Sequence, residues 1–217
     1  MVDQVNLKEI ENRAFRSTYQ DGLLDIYYGL IVVFMSGFMY HPEGGYSALN
    51  IIFSTVGFLI AGALFWGGKK LITLPRMGQV RFGAMRKRKA RTMGIVLGIF
   101  VALQVVLLGF TAFGWLNESL SQTLNRFLGS FDAGLLAVAL IGSLMVGSGL
   151  IVMAYFSDFM RGYYIAVLMA LAVFLMIYLN QPVLAMIIGA VIIIPGIVLL
   201  VRFVRQHPLP QSGEGHE

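Results

Sequence analysis

Two carboxylates, Asp21 and Asp25, lie at the start of the first apolar segment of the chain. Their spacing of four residues is expected to place both on one helix face. An ionisable group at a membrane span is a candidate for proton or cation movement, because an uncompensated charge in lipid is costly. The simpler interpretation is that the positive end of the helix dipole, together with water, Arg76 or Arg81, stabilises both carboxylates.

Gln104 lies near the middle of the third apolar segment. Its amide is a candidate for hydrogen bonds between helices, as are the hydroxyls of Thr55, Thr111, Ser143 and Ser148. The alternative, more specific interpretation is that these groups line a path for a substrate. Asp21, Asp25 and Gln104 are therefore the candidate transport residues.

Catalytic constellations are not evident in the sequence. The chain has no cysteine, and its three histidines, His41, His207 and His216, fall in a predicted outer turn and in the C-terminal tail. Catalysis needs titratable groups brought together, and only the two aspartates and nearby arginines offer this. We expect a protein that is not an enzyme and holds no cofactor or metal.

Lys and Arg residues are concentrated between positions 67 and 92. Basic clusters beside a span attract anionic headgroups, and an acidic partner is the alternative ligand. The charges also serve to hold this segment in the cytoplasm, whatever it binds. Nucleic acid is not expected, because Phe82 is the only aromatic residue among the charges. The candidate binding residues are Lys69, Lys70, Arg76, Arg81, Arg86, Lys87, Arg88, Lys89 and Arg91.

The composition indicates a membrane protein. Of the 217 residues, 58% are hydrophobic and only 12% are charged, which is too apolar for a soluble domain. Uncharged stretches such as 93–116 and 133–156 exceed the roughly 20 residues that cross a bilayer. The predicted fold class is all-α, a polytopic transmembrane helix bundle with spans at 23–40, 47–66, 93–115, 133–156, 162–180 and 182–204.

The distribution of positive charge predicts the orientation. With both termini in the cytoplasm, Arg126 is the only one of the 16 Lys and Arg residues left outside. Such asymmetry is typical of the cytoplasmic side of a span. We therefore predict a multi-pass protein of the inner (cytoplasmic) membrane.

The segments outside the spans divide the chain further. Residues 1–20 are predicted to form an amphipathic interfacial helix, 116–132 a short surface helix and 205–217 a disordered tail. Residues 21–66 form a two-span hairpin and 93–204 the four-span remainder of the bundle. In the basic loop 67–92, residues 71–82 are expected to be extended, with Pro75 and Gly78 at a turn, and the charged residues that follow to continue helically into the third span. Tight turns are predicted at 41–45 and 180–182.

Small residues recur every four positions in two of the spans. Gly94, Gly98 and Ala102 follow this spacing in the third span, and Ala139, Ser143 and Gly147 follow it in the fourth. Such spacing lets helix backbones approach closely. It is expected to serve packing within the chain or in a homo-oligomer.

Two short motifs carry a family resemblance. Asp21-Gly22-Leu23 stands at the start of the first helix, and Pro75-Arg76-Met77-Gly78-Gln79-Val80-Arg81-Phe82 lies in the basic loop. With them the chain resembles a family of small uncharacterised prokaryotic multi-pass membrane proteins. Leu74 and Gln79 stand where that family's pattern often has tyrosine. The resemblance implies the architecture and no known activity.

Two classes of function follow from these observations. The first is a non-enzymatic scaffold or accessory component that contacts anionic lipid or a membrane partner through its basic loop. The second is a small transporter or channel that uses Asp21, Asp25 and Gln104. Polar side chains that converge on a cavity favour transport, whereas polar side chains that are each satisfied by a neighbour favour the scaffold.

Overall fold

The computed structural model describes residues 19–39, 48–77, 84–112 and 133–208. Within these ranges the chain is helical and contains no strand, so the predicted all-α class is confirmed. Predictions for the N-terminal 18 residues, for the turn at 41–45, for 116–132 and for 209–217 fall outside the described residues. The helices are α1 Leu23–Met39, α2 Ala48–Gly68, α3 Leu74–Met77, α4 Ala84–Ala112, α5 Ala133–Ser157, α6 Arg161–Tyr178 and α7 Pro182–Gln206, with a π turn at Lys69–Thr73.

Four helical stretches are long and apolar enough to cross a membrane: Ala48–Arg76, Val138–Ser157, Arg161–Tyr178 and Pro182–Gln206. Two shorter apolar stretches, Leu23–Met39 and Arg91–Val106, coincide with the first and third predicted spans. Large hydrophobic side chains on these helices are highly exposed, among them Leu49 at 74% and Ile99 at 66%. A surface of this kind requires lipid around it. The chain is therefore a membrane protein.

The end of α2 differs from the prediction. Residues 71–77, expected to be extended, continue α2 through the π turn and α3, and Pro75 lies inside this helical continuation instead of at a turn. Gly68, the last residue of α2, keeps helical backbone angles of φ −59° and ψ −44°, so the chain stays helical as it enters the π turn. The basic segment beyond it begins α4 at Ala84 and runs unbroken into the apolar residues, as predicted.

The described chain divides into two compact units: residues up to Phe82 together with those from Gly189 onward, and Gly83–Ile188. In the first unit, α1 crosses the C-terminal part of α7 at two pairs of glycines. A Cβ atom on Gly22 would collide with the carbonyl oxygen of Gly196, and one on Gly29 would lie 2.7 Å from that of Gly189. The pairs occur in reverse order along the two segments, so the helices run antiparallel.

Helices α1 and α2 pack through an interlocking of small and aromatic residues. Gly57 of α2 lies against the ring of Phe34, and Gly37 of α1 lies against the ring of Phe53. The Ser54 hydroxyl donates a hydrogen bond to the carbonyl oxygen of Phe34 at 2.8 Å. Glycine at these positions lets the backbones approach closely enough for that bond.

In the second unit, α5 and α6 form a tight hairpin. Gly162 of α6 packs against Ala154, and Gly147 of α5 packs against Ala170. The turn between them has Asp158 in the left-handed conformation, and the N–H of Phe159 bonds the carbonyl oxygen of Ala154, which closes the end of α5. Small residues of α5 thus pack as predicted.

The small residues of α4 behave differently. Cβ atoms built on Gly94 and Gly98 would meet nothing within 4 Å in the part of the chain that the structure describes. At the other end of the same unit, Tyr178 ends α6 and Pro182 begins α7, so the predicted turn at 180–182 is confirmed. Helix α7 continues to Gln206, one residue beyond the predicted start of the tail at 205.

Candidate functional site

Asp21 lies just before α1 and caps it. The helix begins at Leu23 because Gly22 turns the chain with φ +75°, and the carbonyl oxygen of Gly22 accepts the first helical bond from Ile26. The Oδ1 atom of Asp21 accepts a hydrogen bond from the N–H of Leu23 at 3.2 Å. This use of aspartate at a helix N-terminus is common. Because Asp21 stands outside the helix, the prediction that it shares a helical face with Asp25 is wrong.

The other oxygen of Asp21 binds two side chains from the end of α2. Its Oδ2 atom lies 2.7 Å from the Nζ atom of Lys69 and 2.7 Å from the Oγ1 atom of Thr73, both of which donate to it. Asp21 is fully buried, whereas the Lys69 side chain retains 18% of its exposure. We call Asp21, Lys69 and Thr73 the Asp21 site. Charge-assisted hydrogen bonds of this length are stronger than neutral ones, so the site fastens the start of α1 to the end of α2.

The π turn positions both donors of the Asp21 site. The N–H of Leu74 bonds the carbonyl oxygen of Lys69, five residues earlier, which is the bonding pattern of a π turn. Lys69 begins this turn and Thr73 ends it. Single π turns inside α-helices occur frequently at functional sites.

Aromatic rings surround the ammonium group of Lys69. Its Nζ atom lies 5.7 Å from the ring centre of Tyr19 and 6.0 Å from that of Phe65. Such rings attract a cation, so they add to the stabilisation that Asp21 supplies. Close packing completes the surroundings: a Cβ atom on Gly68 would lie 2.8 Å from the Leu23 side chain.

Asp25 lies in the first turn of α1 and is fully buried. Its Cβ atom would be 3.0 Å from a Cβ atom on Gly196, so the side chain lies where α1 and α7 approach most closely. The positive end of the α1 dipole favours a carboxylate at this position. The structure therefore buries both predicted aspartates near one helix start, each against a different neighbouring helix.

The predicted basic residues fall into separate environments. Lys69 is engaged with Asp21, and Arg76 donates from Nη1 to the carbonyl oxygen of Ile72 at 3.0 Å. Lys70 is exposed and lies 5.8 Å from the ring centre of Trp66, which is itself 70% exposed. Arg88 and Arg91 are exposed on α4. Arg86, Lys87 and Lys89 belong to the same helix, and Arg81 lies outside the described residues.

Gln104 belongs to the second unit, where its Nε2 atom donates to the carbonyl oxygen of Met145 on α5 at 3.3 Å. Hydroxyls of α5 also bond backbone carbonyls: Ser143 donates to Leu140 at 3.0 Å and Ser148 to Met145 at 3.4 Å. These groups are therefore each satisfied by a neighbouring backbone acceptor, and the Gln104 bond joins α4 to α5.

The fold and the Asp21 site define a helical membrane protein in which an ion pair with a fully buried carboxylate fastens the start of α1. Among the described residues, no three His, Cys, Asp or Glu side chains come together. Comparison of the chain with protein-family models, with curated protein sequences and with solved structures gives no match.

Sequence reasoning missed Thr73 and assigned Lys69 to the basic binding surface. The available signal was the spacing of these two polar residues, four apart directly after an apolar span. At that spacing both can face one acceptor. The identity of the acceptor, 48 residues before Lys69, is visible only in the tertiary structure.

Proposed function

We propose that this chain is a non-enzymatic membrane scaffold or accessory component that contacts anionic lipid headgroups through the basic residues between 67 and 92. The observation that carries this proposal is the exposure of Arg88 and Arg91 on a helix that continues directly into apolar residues. The two arginines are three residues apart and so lie on one side of α4.

The position of these arginines suits headgroup binding. Long basic side chains at the end of a span extend into the headgroup region, and each contributes about 1 kcal/mol of attraction to an anionic surface. Lys70 and Trp66 offer a similar pairing at the end of α2, where an exposed aromatic ring is typical of a membrane interface. Both features flank the same connection, residues 78–83.

Removing the two arginine charges tests the lipid contact. The variant Arg88→Gln/Arg91→Gln should bind phosphatidylglycerol roughly 30-fold more weakly, because two charges contribute about 2 kcal/mol. Affinity would be measured by native mass spectrometry of the purified protein titrated with phosphatidylglycerol, with phosphatidylcholine as the zwitterionic comparison.

A matched control removes two other exposed arginines, Arg202 and Arg205 at the end of α7. Arg202→Gln/Arg205→Gln should lose less affinity for phosphatidylglycerol than Arg88→Gln/Arg91→Gln, because its charges lie outside the basic cluster between residues 67 and 92. Equal losses of affinity in the two variants would show that the lipid is attracted by positive charge in general and not by the basic residues between 67 and 92. Unchanged affinity in both would reject the lipid contact and favour an acidic protein partner.

We further propose six spans with both termini in the cytoplasm, in the inner membrane, and membership in the family that the two sequence motifs resemble. The charge asymmetry supports the orientation, with 15 of the 16 Lys and Arg residues on the proposed cytoplasmic side. Because α1 precedes α2, the orientation places the start of α2 outside and the end of α7 inside.

Single-cysteine labelling checks this orientation, and the chain has no native cysteine to interfere. Exposed Leu49 lies in the first turn of α2, and exposed Gln206 ends α7. A membrane-impermeant maleimide should label Leu49→Cys on intact spheroplasts and Gln206→Cys only after permeabilisation. The opposite pattern would invert the proposed topology.

A small transporter is the second candidate function, favoured by the complete burial of Asp21 and Asp25 near one helix start. In proteoliposomes under an imposed gradient, this function predicts proton or monovalent-cation flux that Asp25→Asn abolishes. Ser36→Ala is the matched control, because Ser36 is also fully buried in α1 but its hydroxyl carries no charge and donates to the Val32 carbonyl oxygen one turn earlier. Flux no greater than that of empty liposomes would leave the scaffold as the better proposal.

A further inference from the structure

The spacing of the buried residues along α2 changes at the π turn. Ser54, Gly57 and Ala61 are buried at the three- and four-residue steps of an α-helix, and Gly68 follows one heptad later against Leu23. The next buried residue is Thr73, five positions after the half-buried Gly68. Since α-helical steps would bring Leu71 or Ile72 to this face, the extra residue of the π turn is what brings Thr73 there.

The chemistry of Asp21 explains why this register is favourable. In an α-helical register an aliphatic side chain would face the buried carboxylate, which would lose the hydrogen bond that Thr73 donates. A buried carboxylate oxygen that loses a donor is destabilised, because less of its desolvation is then offset by hydrogen bonding. In the π register, Lys69 and Thr73 both reach the same carboxylate oxygen.

We propose that the charged carboxylate of Asp21 selects the π register at the end of α2. When that charge is removed, Lys69–Thr73 return to the α-helical register, and Leu74–Met77 rotate by about 100° around the helix axis, the angle of one residue. The Asp21 site is thus a conformational device: the start of α1 determines which way Arg76 faces. This inference does not depend on the proposed lipid contact.

Pro75 is the competing cause of the π turn. Proline has no N–H to donate, and its ring collides with the carbonyl oxygen four residues earlier, here that of Leu71. A wider turn relieves the collision. If proline alone sets the register, Pro75→Ala will change it and Asp21→Asn will not.

Nitroxide accessibility of single-cysteine variants distinguishes the two causes. Labels would be placed after the turn at Leu74, Arg76 and Met77, and before it at Leu64, in the otherwise cysteine-free chain. Collision rates of each nitroxide with oxygen and with a water-soluble nickel chelate show which side of the helix is accessible. The direction of that side around the helix axis is the angular phase that the variants are compared by. Asp21→Asn and Thr73→Val should shift the phase after the turn by about 100° and leave Leu64 unchanged.

Two controls keep this test specific. Thr73→Ser retains the hydroxyl and should keep the wild-type phase. Ser54→Ala removes a different hydrogen bond, the one that joins α2 to the Phe34 carbonyl oxygen of α1, and should not alter the phase either. Should Asp21→Asn fail to fold, the comparison of Thr73→Val with Thr73→Ser decides alone. An unchanged phase in Thr73→Val, an equal shift in Ser54→Ala, or a shift confined to Pro75→Ala would overturn the proposal.

Discussion

Replacing Lys69 by alanine is expected to lower the free energy of unfolding by about 3–5 kcal/mol. The substitution leaves the carboxylate of Asp21 fully buried without the ammonium group that lies 2.7 Å from it. The hydroxyl of Thr73 and the N–H of Leu23 remain as donors but carry no charge to compensate it. The loss therefore comes mainly from an uncompensated buried charge.

The neighbouring lysine provides the control. Lys70 is exposed and contacts the ring of Trp66, so Lys70→Ala should cost at most about 1 kcal/mol, the strength of an exposed cation–π contact. Unfolding in mixed micelles of increasing SDS fraction, followed by far-UV circular dichroism, would measure both variants. Equal losses in the free energy of unfolding for Lys69→Ala and Lys70→Ala would show that the ion pair stabilises the fold no more than an exposed cation–π contact does.

A double variant separates the pair from its surroundings. Asp21→Asn/Lys69→Met removes both charges, and replacing a buried ion pair by neutral groups is often close to neutral in stability. The double variant should therefore be more stable than Lys69→Ala. The coupling energy from the corresponding double-mutant cycle gives the strength of the interaction, since each single change leaves one partner behind.

Replacing Gly22 by alanine is the second change with a large expected effect, a loss of about 2–5 kcal/mol. The backbone of Gly22 has φ +75°, where an L-residue loses roughly 1–2 kcal/mol. The added Cβ atom also collides with the carbonyl oxygen of Gly196, and overpacking of this kind costs about 1–3 kcal/mol more. Both effects displace the start of α1 from α7.

Gly62→Ala in α2 is the control for this substitution, because a Cβ atom there meets nothing within 4 Å among the described residues. It should leave stability unchanged or raise it by up to about 1 kcal/mol, the helix propensity difference between alanine and glycine. The same SDS titration measures both variants. If Gly22→Ala were as stable as Gly62→Ala, the close crossing of α1 and α7 would be refuted.

The two predictions concern one structural feature, the start of α1. Asp21 joins it to the end of α2 through an ion pair, and Gly22 joins it to α7 through close backbone packing. The short motif Asp21-Gly22-Leu23 thus supplies a carboxylate, a left-handed glycine and a leucine that packs against Gly68. Each of the three residues has a physical role in holding three helices of the first unit together.

The sequence by itself determined the helices. Hydropathy predicted apolar segments at each of the six long helices among the described residues, and the breakers at 180–182 predicted the turn between α6 and α7, because these signals are local along the chain. It also identified Asp25, together with Asp21 four residues earlier, as unusual, because ionisable residues within a membrane span are rare.

Only the tertiary structure decided what those residues contact. Lys69 was expected on a binding surface, yet the rotation of α2 directs it to Asp21, and the π turn brings Thr73 to the same oxygen. The extended segment predicted around Pro75 is helical for a related reason: Pro75 lies in the helical continuation just past the π turn, whose width can accommodate its ring. Partners 48 and 52 residues apart in sequence are selected by helix packing, which no local pattern encodes.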